Sequence, residues 1–593
     1  MIRAQATHSP GHLTSVGLGT YVDPEVGSGG AANELAAQSP LNAELVTKLK
    51  KTIGGTDYLL YKALPIQVAI IRATTADSMG NLSLEDESVL CDQRIIAMAA
   101  RNSGGVVLAQ VKRLCSDGSI PARSVGVPGA LVDCVVVVDE HEQDEYHPMS
   151  YTMKQNPVLT SEIKSPVDKL PRMDLTERKI VARRASMALR PGQVVNLGIG
   201  LPEGIASVAR EEGMLDYVTL TTEAGVFGGL PGSGRDFGPA YNADAFSELN
   251  AMFDYYDGSG LDAAFLGAAQ INARGDVNVS RMSKDKITGP GGFIDISQST
   301  RNVTFLSSFT ASGLKLDVDG VKGEVRVKEE GKIKKFVSNV NELTFAGDEA
   351  VRRGQNVCYV TERAVFRRTA AHDVLELIEI APGIDLQKDI LEQMEFKPVI
   401  SPDLKLMDKR IFLEHKMEVE LLGSLESRCG YHPDDHTVYI NLFNVSLQSK
   451  DEVDWFWNTL DEILSPLTEE KGPVDVVVDY DGFDLRSGLE REYMAAMSVI
   501  EKKHYKSVKR YTTKAFRRAK LKKEKNWETW DAATEFAGMD DDKDGILSPA
   551  ELRRGIQRVF GISLKPADLD RLCGPTKVTN QNFTSTVLKA LKS

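Results

Sequence analysis

One segment of this chain occurs twice. Ala73-Thr-Thr-Ala-Asp77-Ser-Met-Gly80-Asn81-Leu-Ser-Leu84 matches Ala268-Ala-Gln-Ile-Asn272-Ala-Arg-Gly275-Asp276-Val-Asn-Val279 without a gap. Self-similarity at this distance implies a duplicated structural unit. Each copy follows an apolar run, VAIIR or AAFLG, so each reads as a strand that leaves the sheet through a glycine-containing turn. Further on, Pro128-Gly-Ala-Leu-Val-Asp133 resembles Pro290-Gly-Gly-Phe-Ile-Asp295, and each precedes another strand, CVVVVD or NVTFLSS. The expectation is an α/β protein with two related open-sheet domains, 1–165 and 166–410, joined near the charged, proline-containing stretch Lys164–Arg172.

The two halves are unequal. The second opens with a helix, TERKIVARRASMAL, capped at Asp174 or Thr176 and stopped by Pro191-Gly192. A strand, VVNLGIG, and a helix, GIASVAREE, follow. The first half contains nothing like NLGIGLP, so its domain is read as truncated at the front, with simple divergence of the two domains as the alternative. A third region, 418–520, carries strands TVYINLF and VDVVVDYDGF around a helix, DEVDWFWNTLDEIL, and reads as a small α/β domain. Its end runs into a basic segment, Lys502–Lys525, whose usual meaning is a solvated helix and linker. Residues 526–593 read as helical.

Length and charge bound the function. The 593 residues allow about four domains. A net charge of −13 opposes nucleic-acid binding, which relies on basic surface. The six cysteines, Cys91, Cys115, Cys134, Cys358, Cys429 and Cys573, are scattered, which fits buried thiols in a reducing compartment. No apolar run is long enough for a membrane helix, and the first residues lack the apolar core of a secretory signal. The expected location is intracellular, cytoplasmic or mitochondrial.

Chemistry concentrates around Glu223, in Tyr217-Val-Thr-Leu-Thr-Thr-Glu223-Ala-Gly225-Val-Phe-Gly-Gly229. A β-branched strand delivers a carboxylate at its C-terminal end, where open α/β sheets bind ligands. Gly225 then allows a sharp turn and close approach. Alone, such a glutamate serves as readily as a structural ion-pair or cap residue. Two further glycine turns, Gly198-Ile-Gly200-Leu-Pro-Glu-Gly204 and Gly289-Pro-Gly-Gly-Phe293, could present backbone amides to a phosphate or a developing oxyanion. Neither is the dinucleotide fingerprint.

Taken in order, NLGIGLPEG, TTEAGVFGG, GPGGF, YVTERAVF and EIAPGID resemble the family I CoA-transferases, most nearly the fused acetate/propionate (short-chain acyl-CoA) type, over about residues 11–407. The resemblance implies a ping-pong reaction in which Glu223 attacks an acyl-CoA and becomes a glutamyl-CoA thioester. It implies oxyanion or CoA contacts at Ile199, Gly200, Gly291 and Gly292, with Gln110 near the site. It further implies short-chain acyl-CoA and carboxylate substrates, coenzyme A as the carried group, and a homo-oligomer. An acyl-CoA hydrolase on the same fold and an inactive calcium-binding scaffold are the competing readings.

A second site stands near the C-terminus. Asp540-Asp-Asp542-Lys-Asp544-Gly545-Ile546-Leu-Ser548-Pro-Ala-Glu551 places side-chain oxygens at loop positions 1, 3, 5 and 12, glycine at 6 and the Ile546 carbonyl at 7. That is an EF-hand pattern, and Ca2+ is its expected ligand. The expected pairing hand, over 565–593, lacks acidic residues at ligand spacing and is read as silent.

Overall fold

A computed structural model of the chain describes residues 1–417, 425–433, 435–442, 445–480, 483–511, 547–548 and 551–552. It divides into two compact units, Met1–Leu421 and Leu422–Ser593.

In the first unit β1 (Val68–Arg72), β2 (Val106–Val111) and β3 (Cys134–Val137) form a parallel sheet in the order β3-β2-β1. Helix α1 (Gln93–Asn102) supplies Ala97 and Ala100 to a core shared with Ala69, Ile71, Val107 and Ala109. Small residues on the helix let it lie close on the sheet.

The second sheet has ten strands. Helix α2 (Glu177–Ser186) starts at Thr176 and leads to β4 (Val194–Leu197), α3 (Glu203–Glu211) and β5 (Thr219–Thr222). Next come β6 (Val226–Phe227), β7 (Ala245–Phe246), α4 (Leu249–Asp257), β8 (Ala263–Gly267), α5 (Phe293–Ser299) and β9 (Asn302–Leu306). The last four strands are β10 (Asn356–Val360), β11 (Ala364–Arg368), β12 (Glu376–Ile380) and β13 (Val399–Leu406). Their order is β7-β6-β5-β4-β8-β9-β10-β11-β12-β13. The central five, β5 to β10 in that order, are parallel. Most of their residues are buried because both faces are covered. Phe265, Phe305, Phe309, Phe336, Tyr359 and Phe366 fill the core and are almost completely buried. Because β5 pairs on one side of β4 and β8 on the other, the strand order reverses there. That reversal opens a crevice beyond the carboxyl ends of these strands.

The duplicated segment folds the same way in both copies. Asp77 Oδ1 accepts the amides of Met79 and Asn81, and Asn272 Oδ1 accepts those of Arg274 and Asp276. The side chains are exchanged between copies: Asn81 Nδ2 donates to Asp77 Oδ2 at 2.9 Å, and Asn272 Nδ2 donates to Asp276 Oδ2 at 2.8 Å. Gly80 and Gly275 both need positive φ, +81° and +82°.

The second half of the sequence match requires correction. Gly129 N donates to Asn81 Oδ1 at 2.9 Å, and its counterpart is Gly347 N, which donates to Asp276 Oδ1 at the same distance. Pro128–Asp133 therefore corresponds to the turn at Phe345–Asp348, not to Pro290–Asp295. A proline-glycine pair is common in turns and could not fix the alignment.

Within the first unit the two halves are in contact. Leu249 N donates to Cys91 O, Asn250 N to Asp92 Oδ1, and Ser150 Oγ to Asp236 Oδ1.

The second unit contains β14 (Cys429–His432), β15 (Thr437–Asn441), α6 (Lys450–Lys471), β16 (Val474–Asp479), α7 (Glu490–His504) and β17 (Tyr505–Tyr511). The sheet order is β14-β15-β16-β17, with the last three parallel. Ser449 caps α6 by accepting Glu452 N, and Phe456, Trp457 and Leu460 bury one face of that helix against Val476 and Tyr493. The start of the basic segment is not a linker: Tyr505–Tyr511 is a strand paired with Val474–Asp479. Ladder pairing with a buried neighbouring strand outweighs the charge of its lysines. Among the described residues no helix is long and apolar enough to cross a membrane.

Candidate active site

Glu223 sits immediately after β5, at the corner of a tight reversal. Gly225 N donates to Thr222 O at 3.1 Å, and Thr222 already pairs with Val226 on the returning strand β6. The turn requires glycine at 225: φ is +105°, and a Cβ there would stand 2.0 Å from Ser247 O. Beneath it, Thr222 Oγ1 donates to Gly238 O at 2.6 Å and Thr221 Oγ1 to Val195 O at 3.1 Å. The nucleophile candidate thus stands on a buried, hydrogen-bonded base, which limits its positional freedom.

The side chain enters a cavity of about 610 Å³. The walls are mostly apolar, with Leu197, Leu266, Ala268, Phe293, Ile296 and Leu306 among them. Gly292 leaves room for the carboxylate: a Cβ at that position would lie 2.5 Å from Glu223 Oε2. Burial pushes the Glu223 carboxyl above its ordinary range, and the nearby Asp295 carboxylate pushes it further. Asp295 is itself raised to about 6 by burial. Asp257 is raised to about 7 by burial and by the charges of Asp295 and Asp254.

Ile199, Gly291 and Gly292 line the same cavity. Among the described residues their backbone amides have no hydrogen-bond partner. Gly292 is buried and Ile199 and Gly291 are exposed at the rim, so all three amides are open to a ligand in this cavity. Gly200 does not line this cavity, and its amide donates to Glu203 Oε1 at 2.8 Å. Gln110 is not among the residues lining this cavity; it lies on β2, where its Nε2 donates to Tyr146 O and meets His147 Nδ1.

Three cavity residues escaped the sequence reading. Asn196, at the end of β4, donates to Tyr256 Oη, which donates to Thr221 Oγ1, while its own buried Oδ1 has no partner. The strand-then-glycine signal around NLGIG contained it, but asparagine at a strand end has many structural uses. Phe237 and Lys335 come from hairpins distant in sequence, and no local pattern marks them.

This fold and site can be set beside known proteins. The sequence model of the family described as Coenzyme A transferase matches residues 1–138. The caffeate CoA-transferase of Acetobacterium woodii is 43% identical over 417 residues, covering 70% of this chain and 76% of that protein. The chain belongs to the coenzyme A transferase family. The acetate CoA-transferase YdiF of Escherichia coli K12 is 42% identical over 418 residues, 70% of this chain and 75% of the relative. The solved acyl-CoA transferase of E. coli O157:H7, a thioester complex with CoA, superposes with a TM-score of 0.64 at 39% identity. That match covers 71% of this chain and 76% of the solved one. The protein is a coenzyme A transferase with the α/β fold of its family.

At the C-terminal site, Asp540, Asp542, Asp544 and Ile546 lie outside the described residues. Glu551 is described and buried. Its Oε2 accepts Ser548 N, and Glu551 N returns a bond to Ser548 Oγ. This is a reciprocal capping box at a helix start. Among the described residues no group of three or more potential ligands forms a metal site.

Proposed function

We propose that this coenzyme A transferase moves CoA between a short-chain acyl-CoA and a free carboxylate, with Glu223 carrying the CoA. The observation behind this reading is one cavity that holds Glu223 beside the amides of Ile199, Gly291 and Gly292, which have no partner among the described residues. A Glu223 oxygen attacks the acyl thioester carbon. The C–S bond breaks, leaving a mixed anhydride and CoA thiolate. The thiolate then attacks the glutamyl carbonyl, forming the glutamyl-CoA thioester and releasing the first acid as a carboxylate. The incoming carboxylate runs these steps in reverse, so the thioester bond energy is conserved. Each addition places negative charge on a carbonyl oxygen, and amides with no other partner stabilise it without reorganising. The apolar walls hold water away from the anhydride. Relatives named for caffeate and acetate, and a solved relative with CoA held as a thioester, support the acid acceptor and the covalent route.

The test is intact-protein and peptide mass spectrometry after incubation with acetyl-CoA. A CoA-sized adduct is expected on Glu223, and Glu223→Gln should lose both adduct and acetate-dependent exchange. Normal exchange by Glu223→Gln would reject the assignment, and thioester loss without exchange would favour a hydrolase.

We also infer that residues 540–551 bind Ca2+, through Asp540, Asp542, Asp544, Glu551 and the Ile546 carbonyl, on the strength of their ligand spacing. The Ser548–Glu551 capping box fits the start of an outgoing helix at the twelfth loop position. Calcium titration of the wild type and Glu551→Gln is the measurement, and equal affinity would exclude the loop. A homo-oligomer is proposed on the family resemblance alone, and sedimentation tests it.

A further inference from the structure

Among the described residues, Lys335 is the only lysine or arginine lining the Glu223 cavity. Its Nζ donates to Ser307 Oγ at 3.2 Å. Among the described residues no carboxylate forms an ion pair with it. The carboxylate whose charge acts on it, Glu362, is fully buried and already engaged: Oε1 accepts Arg363 Nε at 2.7 Å and Oε2 accepts Phe309 N at 2.9 Å. Arg363 is held on its other side by Glu330. Burial pushes the Lys335 ammonium below the ordinary lysine range, against the pull of Glu362. A lysine held in an apolar cavity without a contacting counter-charge carries a desolvation cost that an anionic ligand would relieve.

Its position says which part of a ligand it meets. Ser307 follows β9, and Glu223 follows β5. In the sheet these strands are separated by β4 and β8, three spacings of ~4.8 Å, or about 14 Å. Leu197, Leu266, Ala268 and Leu306 line the space between. Ser307 Oγ also donates to Ala268 O, just past β8, so the ammonium stands two to three strand spacings, ~10–14 Å, from the strand that carries Glu223, along an apolar trough.

We propose that Lys335 is a specificity residue, selecting acids whose apolar chain ends in a second anionic group, an ω-carboxylate. This rests on the Glu223 route proposed above and adds a substrate class to it. The reacting carboxylate meets Glu223 while the distal one pairs with Lys335 and Ser307. Acetate, which cannot span the trough, makes no use of the lysine.

The test compares matched straight-chain mono- and dicarboxylates of six and eight carbons as acceptors, with acetyl-CoA as donor. It uses the whole chain and its Lys335→Met and Lys335→Arg variants. In the wild type the dicarboxylate should exceed its monocarboxylate about tenfold or more in kcat/KM at one or both lengths. Lys335→Met should erase that ratio and leave acetate within about twofold, and Lys335→Arg should retain much of it. A wild-type ratio of one or less, or a ratio unchanged in Lys335→Met, overturns the proposal. So does an equal loss for every acceptor through a raised KM for acetyl-CoA, which would place Lys335 on the CoA arm. The Glu223 adduct is measured in the same samples. Its absence from wild type rejects the covalent route, whereas an intact adduct with an unmoved ratio rejects only the role of Lys335.

Discussion

Replacing Gly292 by alanine tests the site by pushing on the nucleophile and on the ring of Phe253 beside it. The backbone there, φ −83° and ψ 8°, is open to any L-residue, so no conformational strain is added. The added methyl would stand 2.5 Å from Glu223 Oε2 and 2.6 Å from Phe253 Cζ, where ordinary contact begins at 3.4 Å. Both neighbours must retreat by about 0.8–0.9 Å, and the Glu223 carboxylate is the freer of the two. Misplacement of a reacting group by ~1 Å can cost about 10²-fold in rate, equivalent to ~2.7 kcal/mol of barrier. Overpacking adds a stability loss of about 1–3 kcal/mol. The assay is acetyl-CoA/acetate exchange, with adduct yield and a thermal melt on the same preparation. About a hundredfold loss of exchange is expected in a protein that still melts cooperatively. Gly291→Ala is the control. Its Cβ would meet nothing within 4 Å, but φ is +53°, so it should lose stability, on the order of 1 kcal/mol, and keep most activity. Exchange within threefold of wild type in Gly292→Ala, or equal losses in the two variants, would refute the steric argument.

Two carboxyl groups near the site give pH predictions of opposite kind. Glu223 must be ionised to attack, so the acid limb of kcat/KM should lie above the ordinary carboxylate range. Asp295→Asn removes a charge that raises the Glu223 pKa, so the limb should move to lower pH; an unmoved limb would mean the charge is not felt. Asp257, at about 7 in the folded protein and 3.8 ordinarily, holds a proton that the unfolded chain releases. Its contribution to stability is therefore fully present below pH ~4, declines up to about pH 7 and is level above. The decline is at most ~1.4 kcal/mol for each tenfold difference in proton affinity between the folded and unfolded chain, and solvent reaching this half-buried group lowers it. Thermal melts across that window should slope downward in wild type, and Asp257→Asn should flatten them. The same slope in both proteins would assign the effect elsewhere.

What was legible in the sequence was whatever local chemistry enforces. Asp77 and Asn272 declare their turns because a short polar side chain shortly before a positive-φ glycine can close the loop by itself. Glu223 was visible because a β-branched strand must end where Gly225 takes over. Lys335 was not, because it reaches the cavity from a hairpin whose pairing no local pattern specifies. The surroundings of Gln110 were hidden for a related reason: its strand is readable, but Tyr146 and His147, which hold its side chain, follow more than thirty residues later. The amide of Gly200 is not free because a capping glutamate three residues ahead, Glu203, takes it, a contact that glycine-loop reasoning overlooks.

The parallel arrangement around Glu223 also sets an order of events during synthesis. Strand β5 can pair with β4 as soon as both have left the ribosome, since they adjoin in sequence and in the sheet. The opposite wall of the cavity waits for Phe293, Leu306 and finally Lys335, about a hundred residues later. At ~5–20 residues per second that is a delay on the order of ten seconds. Non-local pairing of this kind is also slow to form once the chain is free. For that interval the glutamate faces water, and any acyl group it accepted would be hydrolysed. A chain that stopped before residue 293 would keep the carboxylate and lose the wall opposite it.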